Sequence, residues 1–297
     1  MIRSMYVFCL VVWGLNFIAV KIQGTPVSLD VSLAYRLMGG CALFWILARL
    51  KSVPFTVQRQ DLPYVVSFGV CNFALSYLLL YYATIASTAA LVTLVFSMKT
   101  VMTPLALRIF LGDRIDSRLI AGGAVSLTGV LVLLFPFLSI DLTHLTGFGL
   151  AVLGTAVTAV GDAASARNSR RGVDPISANC VGFTSGMILM LLVCVALGRE
   201  FSLPLDAHYL GALIYLTIVA SFLAWLFYLK LVGEIGAAKS GYMVALFPAV
   251  GGIASVLLGE TELNAYIVFG CLLSCLGALY SLGGLQLKVS GSVLNRR

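Results

Sequence analysis

Lys99 is the residue whose position most requires a chemical explanation, because it lies in the middle of a long apolar run. The run extends from Ser87 to Asp116, and Lys99 is about ten residues from either end of its apolar part. At ~1.5 Å rise per residue, a helix here would place the ammonium near the centre of a ~30 Å hydrocarbon layer. A cation at that depth is costly and is usually functional. Two interpretations stay open: Lys99 binds a substrate carboxylate, or it pairs with another helix and only holds the bundle together.

Polar and aromatic residues recur at helical spacing in several apolar runs, which predicts helix faces that line a polar path through protein instead of contacting lipid. Aromatic rings there could stack on a flat side chain, while hydroxyl and amide groups bind the polar end of a substrate. The alternative for each ring is an interfacial belt. The candidate substrate-binding residues are Trp13, Asn16, Phe17, Tyr77, Tyr81, Phe96, Lys99, Thr100, Ser221, Trp225, Tyr228, Met243 and Phe247.

Two further charges fall inside apolar runs. Asp162 is a candidate for a proton or charge role, but its position about one turn before Arg167 favours an interfacial acid paired with a basic loop. Arg36 is about a turn and a half from the end of its run, where its side chain can extend to the surface, so a structural role is favoured over substrate contact.

The residues that would support metal-assisted or phosphate chemistry are not clustered. All seven cysteines lie in apolar runs without ligand spacing, and the only histidines, His144 and His208, fall near the ends of runs. No G-x-x-x-x-G-K loop is present, so direct ATP use is not expected. The sequence therefore predicts no metal, no cofactor and no enzymatic activity, and a membrane-embedded enzyme is the less favoured alternative.

The elements that position these residues must be membrane helices. The composition is 60% hydrophobic and 10% charged, against about 25% charged in soluble domains. Continuous apolar runs indicate an all-α integral membrane protein with ten transmembrane helices. The predicted spans are about 5–22, 31–49, 62–83, 87–109, 117–136, 146–166, 175–197, 207–230, 236–258 and 263–284.

The distribution of Lys and Arg supports this division. Fifteen of the 19 fall on one side of the predicted membrane, Lys21 and Arg199 fall on the other, and Arg36 and Lys99 lie within spans. By the positive-inside rule, both termini are cytoplasmic. The net charge of +7 is accounted for by these loops and by anionic lipid, and no nucleic-acid partner is needed.

The sequence also contains an internal repeat. Leu111-Gly112-Asp113 reappears as Leu258-Gly259-Glu260, and in both places the acidic residue follows about twenty mostly apolar ones. Five spans per copy is an odd number, so the two copies must be inverted relative to each other, as in many secondary transporters. We expect a first five-helix repeat at 1–140, a second at 141–288 and a cytoplasmic basic tail at 289–297.

Several of these motifs together resemble the EamA-type transporters of the drug/metabolite transporter superfamily. Arg36, the Leu-Gly-acidic endings, the glycine pairs of spans five and ten, and Lys21 agree with that pattern, as does the opening Trp13-Gly14-Leu15-Asn16-Phe17. The resemblance implies a ten-helix exporter of small metabolites in the bacterial inner membrane, most similar to aromatic amino-acid exporters. Two features depart from the pattern: Val101 stands where a proline is usual, with Pro104 instead, and Lys99 is not part of it.

The predicted function is a secondary transporter that exports small metabolites, most specifically aromatic or other neutral amino acids, by alternating access through a central cavity between the repeats. A drug or other metabolite efflux carrier is the alternative within this class, and a receptor or structural subunit is a third hypothesis. The protein is predicted to be a monomer or homodimer in the lipid bilayer. The sequence leaves facilitated diffusion and proton exchange both open.

Overall fold

A computed structural model describes residues 1–53, 55, 57–115, 117–135, 142–236, 240, 242–259 and 262–281. Secondary structure within these ranges is helical, as predicted. The predicted basic tail 289–297 and the predicted repeat boundary at 140–141 lie outside the described residues.

The helices follow one another with short connections. They are α1 Ile2–Gly14, α2 Asn16–Gln23, α3 Leu29–Leu50, α4 Leu62–Gly69, α5 Ser76–Ala86, α6 Ala89–Ser97, α7 Lys99–Leu111, α8 Ser117–Leu134, α9 Leu142–Arg170, α10 Pro175–Ala196, α11 Ala207–Ile214, α12 Ala224–Ile235, α13 Phe247–Leu257 and α14 Ala265–Ser281. Two π-helical segments, Val70–Leu75 and Tyr215–Leu223, and a 3₁₀ segment, Tyr242–Leu246, connect some of them.

Seven helical stretches in the described part of the chain are long and apolar enough to cross a membrane. They are Ile2–Gln23, Leu29–Leu50, Leu62–Ala86, Ala89–Leu111, Leu145–Arg170, Pro175–Ala196 and Ala207–Ile235. Three shorter apolar helices, Ala121–Val132, Phe247–Leu257 and Ala265–Gly277, fall where spans five, nine and ten are predicted. A multi-span helical bundle is therefore established, while a total of ten spans stays a prediction.

Two membrane-length helices are interrupted near their middle. Leu15 separates α1 from α2, and Met98 separates α6 from α7. Around Met98, Ser97 Oγ donates to the Leu94 carbonyl and Thr100 Oγ1 donates to the Ser97 carbonyl, so hydroxyl groups compete for the helical acceptors. Pro104, one turn further, removes a backbone donor from the same helix. These local effects explain why one predicted span, 87–109, consists of two helices.

The two halves of the chain show matching backbone irregularities. Glu260 lies 147 residues after Asp113, and the same offset brings the π segment Val70–Leu75 within the π segment Tyr215–Leu223. It also brings the interruption at Met98 onto the 3₁₀ segment Tyr242–Leu246. At this second place Pro248 lies in the first turn of α13, where a missing backbone donor is tolerated.

The helices α8 and α14 pack at backbone distance. A Cβ atom on Gly129 would overlap the Gly270 carbonyl, and one on Gly277 would overlap the backbone of α8. Ser126 Oγ donates to the Ser274 carbonyl across the same contact at 3.0 Å. Glycine at these positions therefore permits close contact between the two helices.

Ion pairs join the first half of the chain to the second at both ends of the bundle. We call one end the basic face, where Asp61 pairs with Arg167 at 2.8 Å and Asp113 pairs with Arg170 at 2.6 Å. At the other end, the opposite face, Asp30 pairs with Arg199 at 2.8 Å and accepts a hydrogen bond from Tyr82. The site described below lies between these two faces.

Candidate functional site

A cavity of about 40 Å³ lies where the interrupted helices meet. Each interruption supplies lining residues from both of its sides: Trp13 and Asn16 flank Leu15, and Phe96 and Lys99 flank Met98. The full lining consists of Trp13, Asn16, Phe17, Tyr77, Leu80, Tyr81, Phe96, Lys99 and Phe247. All but Leu80 are candidates from the sequence, so the sequence identified most of the residues that line the cavity.

The walls of the cavity are mainly aromatic. Phe96 lies between two other rings, with its centroid 5.6 Å from that of Phe17 and 6.2 Å from that of Phe247, and the Phe96 and Phe247 rings are nearly parallel. Trp13 is fixed by a 2.8 Å hydrogen bond from its indole Nε1 to the Ala220 carbonyl in the second π segment. These contacts present flat apolar surfaces to whatever enters the cavity.

Lys99 and Asp162 form a buried ion pair. Lys99 Nζ lies 2.9 Å from Asp162 Oδ2, and the side chains are 3% and 1% exposed. Thr103 Oγ1 donates to the same carboxylate oxygen at 2.8 Å. The ammonium also lies 5.6 Å from the centroid of the Phe96 ring and 5.4 Å from that of Tyr228. Lys99 therefore pairs with another helix, as one of its two interpretations held, and it also lines the cavity, while binding of a substrate carboxylate stays a prediction.

The expected pairing of Asp162 with a basic loop is wrong. Arg167 instead pairs with Asp61 and lies over the Tyr64 ring at 3.5 Å from its centroid, at the basic face. Asp162 Oδ1 is buried and makes no hydrogen bond to the described residues. The acid is therefore an interior residue and not an interfacial one, because its side of α9 faces the bundle and Lys99.

Arg36 does not extend toward the surface, although its position in the sequence allowed that. It is fully buried, and its guanidinium points into the bundle. Nε donates to Ser221 Oγ at 2.8 Å, Nη1 to the Tyr81 hydroxyl at 3.3 Å and Nη2 to Asn16 Oδ1 at 3.1 Å. The guanidinium carbon lies 4.2 Å from the centroid of the Tyr77 ring. Asn16, Tyr77 and Tyr81 line the cavity, so Arg36 lies directly behind its wall.

The remaining candidates form a layer behind the cavity or lie elsewhere. Trp225 Nε1 donates to the Tyr77 hydroxyl at 2.6 Å, and its ring centroid is 5.1 Å from that of Trp13. Tyr228 packs on both tryptophans. Ser221 bonds Arg36, Thr100 bonds the Ser97 carbonyl at the end of α6, and Met243 is buried in the apolar core. None of these five is among the residues that line the cavity.

Metal binding finds no support in the described ranges. No three His, Cys, Asp or Glu side chains come together there in a group that could hold a metal ion. What the site offers is aromatic surface, hydrogen-bonding groups and buried charge.

One protein family matches most of the chain. The EamA-like transporter family matches residues 3–135 and residues 144–283, which together are most of the sequence. The chain belongs to this family. The predicted resemblance is thereby confirmed, and the protein is a multi-pass membrane transporter.

Two individual relatives of this EamA-like transporter are distant but cover nearly its whole length. A probable amino-acid metabolite efflux pump of Salmonella typhimurium is 27% identical, covering 96% of this chain and 94% of the relative. An Escherichia coli protein with the same description is 25% identical over 95% of this chain and 92% of its own. A solved crystal structure superposes with a TM-score of 0.73 at 19% identity, covering 96% of this chain and 99% of that one, which supports the fold.

Two residues at the cavity were not among the candidates from the sequence: Leu80, which lines it, and Arg36, which lies behind its wall. Leu80 lines the cavity about one turn after Tyr77 and next to Tyr81, so extending that helical face would have found it. Arg36 could not be oriented from sequence, because depth along a helix does not tell which neighbour a side chain faces. Its position in an apolar run was nevertheless a signal of function, because a charge there is costly.

Proposed function

We propose that this EamA-like transporter exports small amino-acid-like metabolites by alternating access, and that the cavity around Phe96 and Lys99 is the substrate site. The two relatives described as probable amino-acid metabolite efflux pumps support the substrate class. We further propose aromatic or other neutral amino acids as cargo, because aromatic rings supply much of the cavity wall.

The observation that carries this proposal is that both family matches contribute residues to the cavity and its surroundings. Most of its lining belongs to the first family match, Phe247 belongs to the second, and Lys99 is held by Asp162 of the second. A substrate site at the contact between two repeats is the arrangement that lets one repeat rock against the other. A cavity of about 40 Å³ must widen to admit an amino acid, and the interruptions at Leu15 and Met98 are points where the helices can bend.

The proposed membrane arrangement is ten spans in two inverted repeats, with repeats at 1–140 and 141–288 and both termini on the cytoplasmic side of the bacterial inner membrane. The matching irregularities of the two halves support the repeats. The ion pairs of Arg167 and Arg170 support a basic cytoplasmic face.

Transport by the purified protein in proteoliposomes tests the proposal. We expect counterflow of radiolabelled phenylalanine or leucine in vesicles that contain the protein, and none in empty vesicles. Leu80→Phe should abolish counterflow because it fills the cavity. Leu75→Phe, on the same membrane-length helix but 40% exposed, is the matched control and should retain it. Absence of counterflow for every amino acid, with folded wild-type protein, would refute the proposed function.

A further inference from the structure

Arg36 is an incompletely satisfied cation in the interior of the bundle. Its described partners, Ser221, Tyr81, Asn16 and the Tyr77 ring, are all neutral. A guanidinium has five N–H donors, and only one hydrogen bond is made by each of its three nitrogens. One N–H on each terminal nitrogen is therefore left without an acceptor among the described residues. Burying a charge without a counter-ion is costly, so this arrangement calls for an anion.

The unused donors lie next to the cavity. Asn16 and Tyr81, which bond the two terminal nitrogens, both line it. The Tyr81 hydroxyl accepts from Arg36, so its own proton stays available for a second acceptor. A carboxylate at this corner could accept from the guanidinium and from the Tyr81 hydroxyl, and paired N–H donors are the geometry in which arginine binds carboxylates most strongly.

The charge of the interior favours the same ligand. Arg36 and Lys99 are two buried cations, and Asp162 supplies one carboxylate, which is already paired with Lys99. No carboxylate among the described residues pairs with Arg36, since the buried Asp30 and Asp61 pair with other arginines, so its positive charge lies uncompensated beside a low-dielectric cavity, where it attracts an anion much more strongly than in water. The Phe17, Phe96 and Phe247 rings, which also line the cavity, offer no carboxylate for an ammonium group.

We propose that Arg36, with Asn16 and Tyr81, binds the carboxylate of the transported molecule, and that the amino group of the cargo is not required. The recognised class is then small apolar or aromatic monocarboxylates, including N-acylated amino acids as well as free ones. This inference rests on the proposed function, since it names the chemical end of the cargo that the same cavity recognises.

A series of phenylalanine derivatives that differ in their charged groups tests it. Phenylalanine carries both groups, N-acetylphenylalanine carries only the carboxylate, and phenylalaninamide carries only the ammonium. Binding to the purified full chain can be followed by tryptophan fluorescence, because Trp13 lines the cavity. Trp45→Phe removes the signal of the partly exposed Trp45. We expect the two carboxylates to bind, and phenylalaninamide to bind at least about tenfold more weakly, since a hydrogen-bonded charge is lost.

Variants of Arg36 assign the effect to this residue. Arg36→Gln should remove the discrimination between phenylalanine and phenylalaninamide, whereas Arg36→Lys should restore part of it. Arg49→Gln is the matched control, because Arg49 is on the same helix α3 but exposed, and it should leave the discrimination unchanged. A purely structural Arg36 would change abundance or stability without changing the ratio of affinities. If Arg36→Gln does not fold, the wild-type series alone decides.

The outcomes separate this inference from the proposed function. Equal binding of phenylalaninamide and phenylalanine, or failure of N-acetylphenylalanine where phenylalanine binds, would overturn the inference while counterflow of amino acids still stood. Binding of none of the three compounds would also overturn it. Failure of all counterflow would refute the proposed function itself.

Discussion

The Lys99–Asp162 pair is a charge-neutral unit whose members cannot be removed singly without penalty. Both side chains are almost completely buried, and Thr103 adds a hydrogen bond to the carboxylate. Removing one partner of a buried pair typically costs about 3–5 kcal/mol, because the other charge is left uncompensated. We therefore expect Lys99→Gln or Asp162→Asn alone to lower the thermal unfolding temperature in detergent strongly, and the double variant to recover most of it.

Transport by the double variant distinguishes the roles of the pair. Lys99 lines the cavity as well as joining two helices, so we expect Lys99→Gln with Asp162→Asn to be stable but defective in counterflow. Wild-type counterflow by the double variant, at equal protein per vesicle, would show that the pair only holds the bundle together.

Trp225 supports the cavity from behind through one hydrogen bond. Its Nε1 donates to the hydroxyl of Tyr77, which lines the cavity and lies against the Arg36 guanidinium. Trp225→Phe keeps an aromatic ring but releases Tyr77, at a cost of about 1 kcal/mol. We expect the KM for counterflow to rise severalfold with little change in unfolding temperature.

The matched control for this variant is Trp45→Phe. Trp45 Nε1 also donates to a hydroxyl, that of Thr184, but at an exposed position away from the cavity. Its replacement should leave KM unchanged. Equal KM values for Trp225→Phe and the wild-type protein would show that the Tyr77 hydroxyl needs no partner for substrate binding.

At the residue scale, the sequence predicted which side chains are unusual better than it predicted what they face. Phe17, Phe96 and Phe247 were found because helical spacing and aromatic character are local properties. The pairing of Lys99 with Asp162 was not found from the sequence, because the two residues are far apart along the chain. The rotation of each helix about its axis decides such contacts, and that rotation depends on the packing of the whole bundle.

At the scale of helices, the cavity forms mainly where helices are interrupted. Uninterrupted helices bond their backbone groups internally and present only side chains, whereas an interruption redirects the chain and allows side chains from both of its sides to reach one cavity. The interruption at Met98 has local causes in Ser97, Thr100 and Pro104, which the sequence displays. The π segments Val70–Leu75 and Tyr215–Leu223 carry no comparable local signal, and only the structure shows them.

The contact between α8 and α14 is a scaffold that can be tested separately from the site. A Cβ on Gly277 would overlap backbone atoms of α8, which cannot move as a flexible side chain can. We expect Gly277→Ala to destabilise the protein by about 1–3 kcal/mol, measured as thermal unfolding in detergent. Counterflow per folded molecule should be retained, because neither helix lines the cavity.

Gly149→Ala is the matched control for this contact. Gly149 lies in α9 with no atom within 4 Å of the added Cβ, so alanine should be neutral or slightly stabilising there. Equal stability of the Gly277→Ala and Gly149→Ala variants would mean that α8 and α14 do not pack at backbone distance in the membrane.

At the scale of the whole molecule, the repeat and the charge distribution predicted the architecture more fully than any single element. They correctly indicated a helical multi-span transporter, because the segregation of Lys and Arg and the recurrence of Leu-Gly-acidic endings average over the entire chain. Span length was less predictable. The apolar helix Phe247–Leu257 is shorter than the predicted span 236–258, since the 3₁₀ segment Tyr242–Leu246 takes the place of part of it.

Ion pairs at both ends of the bundle join the two halves, so alternating access requires each set to break in turn. Asp30 is held to Arg199 at the opposite face, and Asp61 to Arg167 at the basic face. Each arginine is partly exposed, which limits the contribution of a pair to about 1 kcal/mol, a severalfold shift in the population of open states. We expect Asp30→Asn to favour opening at the opposite face and Asp61→Asn to favour opening at the basic face.

Thiol accessibility from each side of the membrane measures this shift. A cysteine at Leu80, which lines the cavity, can be placed in a variant that lacks the seven native cysteines. With Asp30→Asn, an impermeant reagent should label it faster from the opposite face only, and with Asp61→Asn from the basic face only. Because a carrier must never be open at both ends, an increase at both faces in either variant would contradict alternating access. No increase in either would show that these pairs do not control opening.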